Sequence, residues 1–242
     1  MQANRKQEIG DPETPDDAES PLEFLQQFLS PERLALLEEK LNERTRFLTV
    51  VLEDIEKTQN TSAVLRSCDC FGIQDAHVIS NDHPFKVHRD ITAGAAQWMT
   101  IHTYREHEDN TSACFEHLRS QGYQIVATSP SEDGPVCSLP EFRLEAKTAV
   151  VLGTEFAGLS QSALQQADVR LQIPMFGFTR SFNISVAAAI CLYDLTHKLR
   201  SSELDWRLTD AEKKALRFPW TQHSVRRADR LLAAHRRRCS GS

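Results

Sequence analysis

The residues most able to do chemistry fall in three short segments. The first, 60–66, reads Asn60-Thr61-Ser62-Ala63-Val64-Leu65-Arg66. Asn60 has the side chain of a helix cap. Arg66 sits amid Val64, Leu65, Cys68 and Phe71. An arginine in such apolar company is either an ion-paired structural residue or a phosphate ligand, and its planar fork suits both. In the second segment, 150–160, a run of Val150, Val151 and Leu152 leads into Gly153, Glu155 and Gly158. That pattern is a buried strand entering a tight loop at the carboxyl end of a sheet, where α/β folds place ligands. Glycines let backbone approach a ligand closely, although they are also frequent in ordinary strand–helix turns. The third segment, 173–186, offers Ser181, Asn183 and Ser185 at alternate positions before Ala187, Ala188 and Ala189. One polar residue is expected there as a helix cap, and three exceed what capping needs.

Positioning these side chains requires a particular set of elements. Residues 1–20 are polar, acidic and proline-bearing, the composition of a disordered lead-in. Over 21–44, Leu22, Leu25, Phe28, Leu29, Leu34, Leu37 and Leu41 recur near helical spacing, and Ser30-Pro31 makes a good helix start. This stretch reads as a helical N-terminal extension. From 45 to 200 an α/β rhythm predicts strands at 47–52, 77–79, 124–128, 148–152 and 171–173. Helices are predicted at 61–71, 111–121, 160–166 and 186–199. Such alternation implies an α/β fold, a mostly parallel sheet with helices on both faces. Residues 201–242 form a basic helical C-terminal extension: one helix capped at Thr209, and a last one over 225–234 carrying Arg226, Arg227 and Arg230. Trp206, Phe218 and Trp220 between them read as docking the tail on the body rather than stacking on bases.

Composition excludes some classes. No stretch approaches the roughly 20 apolar residues that cross a bilayer, and the N-terminus lacks a signal pattern, so a cytoplasmic location is expected. The six cysteines show no C-x-x-C pairing and there is no histidine cluster at zinc-ligand spacing, so no metal is expected. The net charge of −6 is unevenly spread. Residues 1–43 hold four Lys/Arg against eleven Asp/Glu, and residues 195–242 hold twelve against five. A chain this polarised can present a phosphate-binding surface despite its acidic total.

Taken together, the three segments resemble the SpoU or TrmH branch of the SPOUT superfamily of RNA methyltransferases. Motif one of that family, N-x-x-A-x-x-R, is met by Asn60, Ala63 and Arg66. Motif two, L-G-x-E-x-x-G-L-S, is met from Leu152 to Ser160. Motif three, I-P-M-x-G-x-x-x-S-L-N-V-S-V-A, is met from Ile173 to Ala187, with Phe182 for leucine and Ile184 for valine. Residues 47–79, 89–98 and the tail over 208–232 are similar to the tRNA guanosine-2′-O-methyltransferases of that branch. The resemblance implies a C-terminal trefoil knot within 45–200 and S-adenosylmethionine held by Thr128, Leu152, Gly153, Ile173, Met175 and Phe182. It implies methyl transfer to a ribose 2′-oxygen, with Arg66 as the central catalytic residue. Arg66 is read as a phosphate clamp, because a guanidinium is almost never deprotonated. Asn60 and Glu155 would orient Arg66 and the ribose, and Ser181 and Asn183 would shape the pocket. It further implies a homodimer, with the Ala-rich helix as its face, and tRNA as partner. Lys198, Arg200, Arg226, Arg227 and Arg230 would then lie on the tRNA backbone. The 2′-hydroxyl would exclude DNA. The acidic lead-in is not part of the family pattern.

The expected reaction is methylation of the D-loop guanosine at position eighteen of tRNA. One alternative is an enzyme of the same branch acting on ribosomal RNA or another tRNA position, which the three motifs do not separate. Another is an inactive RNA-binding protein that keeps the fold; loss of Arg66, Glu155 or Asn183 would favour it, and all three are present. A dinucleotide-binding Rossmann enzyme lacks its G-x-G-x-x-G fingerprint.

Overall fold

A computed structural model describes residues 20–82, 94–130 and 135–239. The acidic lead-in, apart from Ser20, lies outside the described residues, as do residues 89–93 of the 89–98 stretch.

Among the described residues, seven strands form one parallel sheet. They are β1 (Leu48–Glu53), β2 (Asp75–Ile79), β3 (Thr100–Tyr104), β4 (Gln124–Thr128), β5 (Cys137–Ser138), β6 (Thr148–Leu152) and β7 (Val169–Gln172), in the order β3-β2-β1-β6-β4-β7-β5. All residues of β1, β2 and β6 are buried, as expected for strands covered on both faces. Because side chains alternate along a strand, Val50, Leu52, Val150 and Leu152 pack on one face beneath α3 (Thr58–Cys70) and α6 (Ile184–Arg200). Val51, Ala149 and Val151 pack on the other face beneath α4 (Asn110–Ser120) and α5 (Gln161–Gln166). The chain builds outward from β1 through β2 to β3, then crosses back to β4 and inserts β6 between β4 and β1. The strand order therefore reverses beside β6, the kind of switch point at which open α/β sheets bind ligands.

The terminal helices pack against each other. They are α1 (Pro21–Gln26), α2 (Pro31–Asn42), α7 (Asp210–Ser224) and α8 (Ala228–Cys239). Leu37 and Leu41 of α2 meet Leu208, Leu216 and Trp220, while Leu25 of α1 meets Val225, Ala228 and Leu232. Arg217 reinforces the seam with two bonds to Glu38 at 2.6 and 2.8 Å. Trp206 and Trp220 are buried, so they dock the tail as expected. The last helix begins three residues later than predicted. Val225 closes α7 in an extended conformation and Arg227 has φ +60°, which interrupts the helical path before Ala228.

Strands β3 and β5 were not predicted. The first, Thr-Ile-His-Thr-Tyr, is a half-exposed edge strand with no apolar run, and the second is two residues long.

Candidate functional site

The site is assembled at the carboxyl ends of the strands. β6 ends at Leu152, and the loop after it folds back on itself. Thr154 and Gly158 exchange both backbone hydrogen bonds, N–H to O at 2.9 and 3.2 Å. This closure explains Gly153: a Cβ there would stand 2.2 Å from the Gly158 carbonyl oxygen and 2.4 Å from the Leu159 nitrogen. Gly158 has φ +71°, a conformation that favours glycine. The loop is anchored further on by the carboxylate of Glu53, the last residue of β1, a residue 2% exposed. It accepts from the Ser160 N–H and hydroxyl, both at 2.8 Å, and from the Thr111 hydroxyl at 2.7 Å. Ser160 in turn caps α5 by accepting from the Ala163 N–H.

Behind this loop lies a pocket of about 400 Å³. The ends of β4, β6 and β7 form its floor through Thr128, Leu152 and Leu171, and the 173–187 segment closes its side. All six residues expected to hold a cofactor, Thr128, Leu152, Gly153, Ile173, Met175 and Phe182, line it, and so does Ser181. The volume falls in the range usual for small-molecule sites. Most of the lining is apolar or glycine, so polar contact comes from backbone N–H and C=O groups and a few side chains, Thr128, Glu155 and Ser181 among them.

At the rim, Glu155 gathers side chains from three segments. Its carboxylate accepts from Lys57 Nζ at 2.5 Å, from Asn60 Nδ2 at 2.9 Å, and from Asn183 Nδ2. Asn183 also reaches Asn60 Oδ1 at 3.3 Å. The Lys57 ammonium, followed by Asn60, holds the Glu155 carboxyl below the usual carboxylate range. The cluster is therefore ionised at neutral pH and fixed in place, which suits it to positioning rather than to moving protons.

The structure corrects one expectation and refines another. Asn60 does not cap its helix. α3 begins at Thr58, and the Asn60 amide is committed to Glu155. Thr58 and Gln59 continue helical geometry ahead of it, so the cap position falls on Lys57. Asn183 does cap α6, its Oδ1 accepting from the Ser185 N–H at 2.9 Å and hydroxyl at 2.5 Å. The three alternating polar residues thus divide: Ser185 completes the cap, Asn183 bridges cap and cluster, and Ser181 faces the pocket.

Arg66 stands apart. Six residues beyond Asn60, it is turned about 120° around the helix, is exposed, and does not line the pocket. Among the described residues it has no hydrogen-bond or ion-pair partner. It shares an α3 stripe with Ala63, Ser67 and Cys70. Beside this stripe α6 presents Val186, Ile190, Tyr193 and His197, with Tyr193 65% exposed.

The expected RNA-backbone residues fall into two groups. Lys198 donates to the carbonyls of Leu139 and Pro140 at 2.6 and 3.2 Å and pairs with Asp194 at 2.6 Å. Arg200 pairs with Glu43 and lies over the Trp206 ring at 4.7 Å. Both are tied within the chain. Arg226, Arg227 and Arg230 are exposed. The sequence reading missed Lys57, Glu53, and the pocket-lining Pro130, Phe156 and Arg180. Lys57 lies outside the three segments in sequence, and only the fold brings it to Glu155.

Pocket and cluster are built mostly from the three motif segments, and comparison with known proteins groups the chain the same way. The chain belongs to the SpoU rRNA Methylase family, whose model matches residues 47–193. It is 39% identical over 211 residues to the tRNA (guanosine(18)-2′-O)-methyltransferase of Borreliella burgdorferi, covering 87% of this chain and 94% of that one. It is 31% identical over 194 residues to the tRNA (guanosine(18)-2′-O)-methyltransferase of Escherichia coli K12, covering 78% and 82%. The crystal structure of the A. aeolicus TrmH/SpoU tRNA modifying enzyme superposes with a TM-score of 0.70 at 28% identity. That match covers 81% of this chain and 98% of the other.

Proposed function

We propose that this protein is an S-adenosylmethionine-dependent methyltransferase of a ribose 2′-oxygen in tRNA, the guanosine at position eighteen, working in the cytoplasm as a homodimer. The observation that carries the reading is the convergence of motif residues from 152–160 and 173–187 on one pocket, with Asn60, Glu155 and Asn183 locked together at its rim. The names of the relatives support the substrate. On the same reading, 45–200 is the catalytic domain, flanked by helical extensions at 21–44 and 201–242. The segment after β7 threads a trefoil knot, an exception to the general avoidance of knots.

The pocket fits the cofactor. Gly153 leaves backbone where a Cβ would intrude, and Leu152, Ile173, Met175, Phe182 and Thr128 offer apolar walls with main-chain polar groups between them. S-adenosylmethionine, when bound, supplies an electrophilic methyl group on a sulfonium. The chain's own task is to aim and activate a 2′-hydroxyl, a weak nucleophile until its proton is drawn off. Glu155 keeps the Asn60 and Asn183 amides in fixed orientation beside Ser181. Arg66 cannot take the proton, since a guanidinium stays charged. It holds the RNA phosphate, and the local positive charge lowers the hydroxyl pKa.

Because Arg66 lies on the exposed α3 stripe outside its own pocket, it serves the pocket of a second copy docked on α3 and α6. Arg226, Arg227 and Arg230 bind tRNA backbone and contribute affinity rather than sequence reading.

The test is to incubate the protein with S-adenosylmethionine and unmodified tRNA transcript and map 2′-O-methylation by nuclease digestion and mass spectrometry. One new 2′-O-methylguanosine in the D-loop, lost in Arg66→Ala, is the expected result. Methylation elsewhere overturns the substrate, and none on any RNA overturns the activity. Mixing inactive Arg66→Ala with inactive Gly153→Trp tests the arrangement across the dimer. Random pairing restores about a quarter of full activity if each arginine serves the partner pocket, and nothing if it serves its own.

A further inference from the structure

The 174–182 loop carries side chains that the cofactor motif does not account for. Phe176 and Phe178 are 99% and 108% exposed. With Thr179 and Arg180 they occupy positions that motif three leaves open. Across the pocket mouth, Phe156 is 91% exposed, and Lys57 Nζ lies 5.6 Å from its ring centre. Large rings held fully in water cost free energy, and exposed apolar groups gathered at one rim mark a binding surface. Phe178 and Arg180 also line a second cleft, of about 620 Å³, together with Gln172, Pro174, Gly177 and Thr179. This cleft shares Pro130, Met175 and Arg180 with the 400 Å³ pocket, so the two hollows are neighbours along a common wall.

We propose that the second cleft seats the nucleobase of the RNA nucleotide being methylated, with Phe178 as its stacking face and Arg180 on an adjoining phosphate. The proposal rests on the 2′-O-methyltransferase reading above, which places the target ribose at the mouth of the first pocket. A base is joined to its ribose by one bond, so it lies beside that mouth, and the cleft is the hollow that adjoins it. Single-stranded bases in RNA are commonly held on aromatic faces and by arginine. Arg180 is exposed and, among the described residues, has no carboxylate partner, so its charge is available to a phosphate. A second copy of the chain is the weaker candidate for this surface. The apolar stripe of α6 already offers a face for it, and the loop phenylalanines precede that helix.

The experiment measures affinity for unmodified tRNA in the presence of S-adenosylhomocysteine, so no turnover is needed. Wild type and Phe178→Ala are each titrated with intact transcript and with transcript lacking only the target base. Loss of one base–aromatic stack corresponds to about 5- to 150-fold in affinity. Either change alone is expected to weaken binding by such a factor, and the second to add little once the first is made. Phe178→Trp is expected to bind like wild type. S-adenosylhomocysteine affinity and sedimentation of Phe178→Ala are expected to match wild type.

Losses that multiply, or no loss in Phe178→Ala, overturn the proposal. So does a fall in cofactor affinity, which makes the loop a cofactor cover, or a change in sedimentation, which makes it a contact between copies. A wild-type protein that binds tRNA and shows the coupled losses yet methylates nothing keeps the cleft and overturns the activity. Absence of any tRNA binding overturns both.

Discussion

Substituting Gly153 by alanine isolates the feature on which the cofactor pocket depends. The added Cβ would lie 2.2, 2.3 and 2.4 Å from the Gly158 oxygen, the Gly158 carbon and the Leu159 nitrogen, all backbone atoms that no rotamer change can move. Two responses are open. The loop can stay closed and absorb the strain, about 1–3 kcal/mol for overpacking a tight site. Alternatively it can open and give up both Thr154–Gly158 hydrogen bonds, at about 0.5–1.5 kcal/mol each. Contacts of 2.2–2.4 Å with backbone cannot be kept, so the loop opens, and a ligand that needs it closed must restore the strained form. A closed form that lies about 1–3 kcal/mol above the open one lowers affinity by about 5- to 150-fold. Calorimetric titration with S-adenosylhomocysteine reads this directly. Gly177→Ala is the control, since a Cβ there meets nothing within 4 Å, and it should keep native affinity. Native affinity in Gly153→Ala itself would refute the claim that the closed loop forms the cofactor pocket.

Three further outcomes follow from the packing and the charges. Glu53→Gln places an amide donor among three donors that the buried carboxylate now satisfies. A loss of about 2–3 kcal/mol in urea unfolding is expected, and an unchanged midpoint would show that Ser160 and Thr111 find other acceptors. Burial pushes His77 down to about 3, with positive charge on His102 and His117 adding to the effect. The unfolded histidine takes up a proton below about pH 6.5 while the folded one stays neutral. Stability is therefore full above that pH and falls towards pH 3, by about 2 kcal/mol at pH 5. His77→Phe should flatten the urea midpoint between pH 7 and 5, and an undiminished slope would assign it elsewhere. In the terminal helices, Trp220→Ala removes a ring that is 3% exposed and should cost about 3–5 kcal/mol. Arg217→Ala removes only a half-exposed ion pair and should cost about 1 kcal/mol or less. Equal losses in the two variants, read by the same unfolding curves, would mean that charge rather than apolar packing holds the tail.

The parts of the fold legible in the sequence are those where one physical requirement acts alone. The middles of β1, β4 and β6 are buried on both faces, so each carries an apolar stretch (50–52, 125–127 and 149–152), and the predicted spans for β4 and β6 coincide with the observed ones. β3 lies at the sheet edge and must satisfy water on one side, so its histidine and threonines hide it. Histidines of β2 and β3 also stack there, His77 on His102 at 4.6 Å. That contact depends on the parallel register pairing these two residues, and no local pattern reveals it. The tail was legible in outline through its caps and tryptophans. Its partner was not, because Leu37 and Trp220 are joined only by the folded chain.

The candidate site divides along the same line. Gly153 and Gly158 were recognisable because a backbone constraint selects one residue type regardless of context. Asn60 was misread because a local rule and a tertiary demand asked for the same side chain. An asparagine near a helix start satisfies the capping rule, yet here its amide is drawn across to Glu155, which already binds Lys57. The Asn60 Nδ2 donates to the charged Glu155 carboxylate and its Oδ1 accepts from Asn183, so the orientation that serves the cluster turns the oxygen away from the helix N–H groups. Capping then passes to Lys57, which has no side-chain acceptor, and α3 starts without a side-chain cap. A helix start left uncapped while its asparagine reaches elsewhere marks a site where geometry outweighs local stability. Arg66 is the complementary case: an exposed arginine beside Ala63, Ser67 and Cys70 with no partner among the described residues, whose role, on the function proposed above, needs RNA and a second copy.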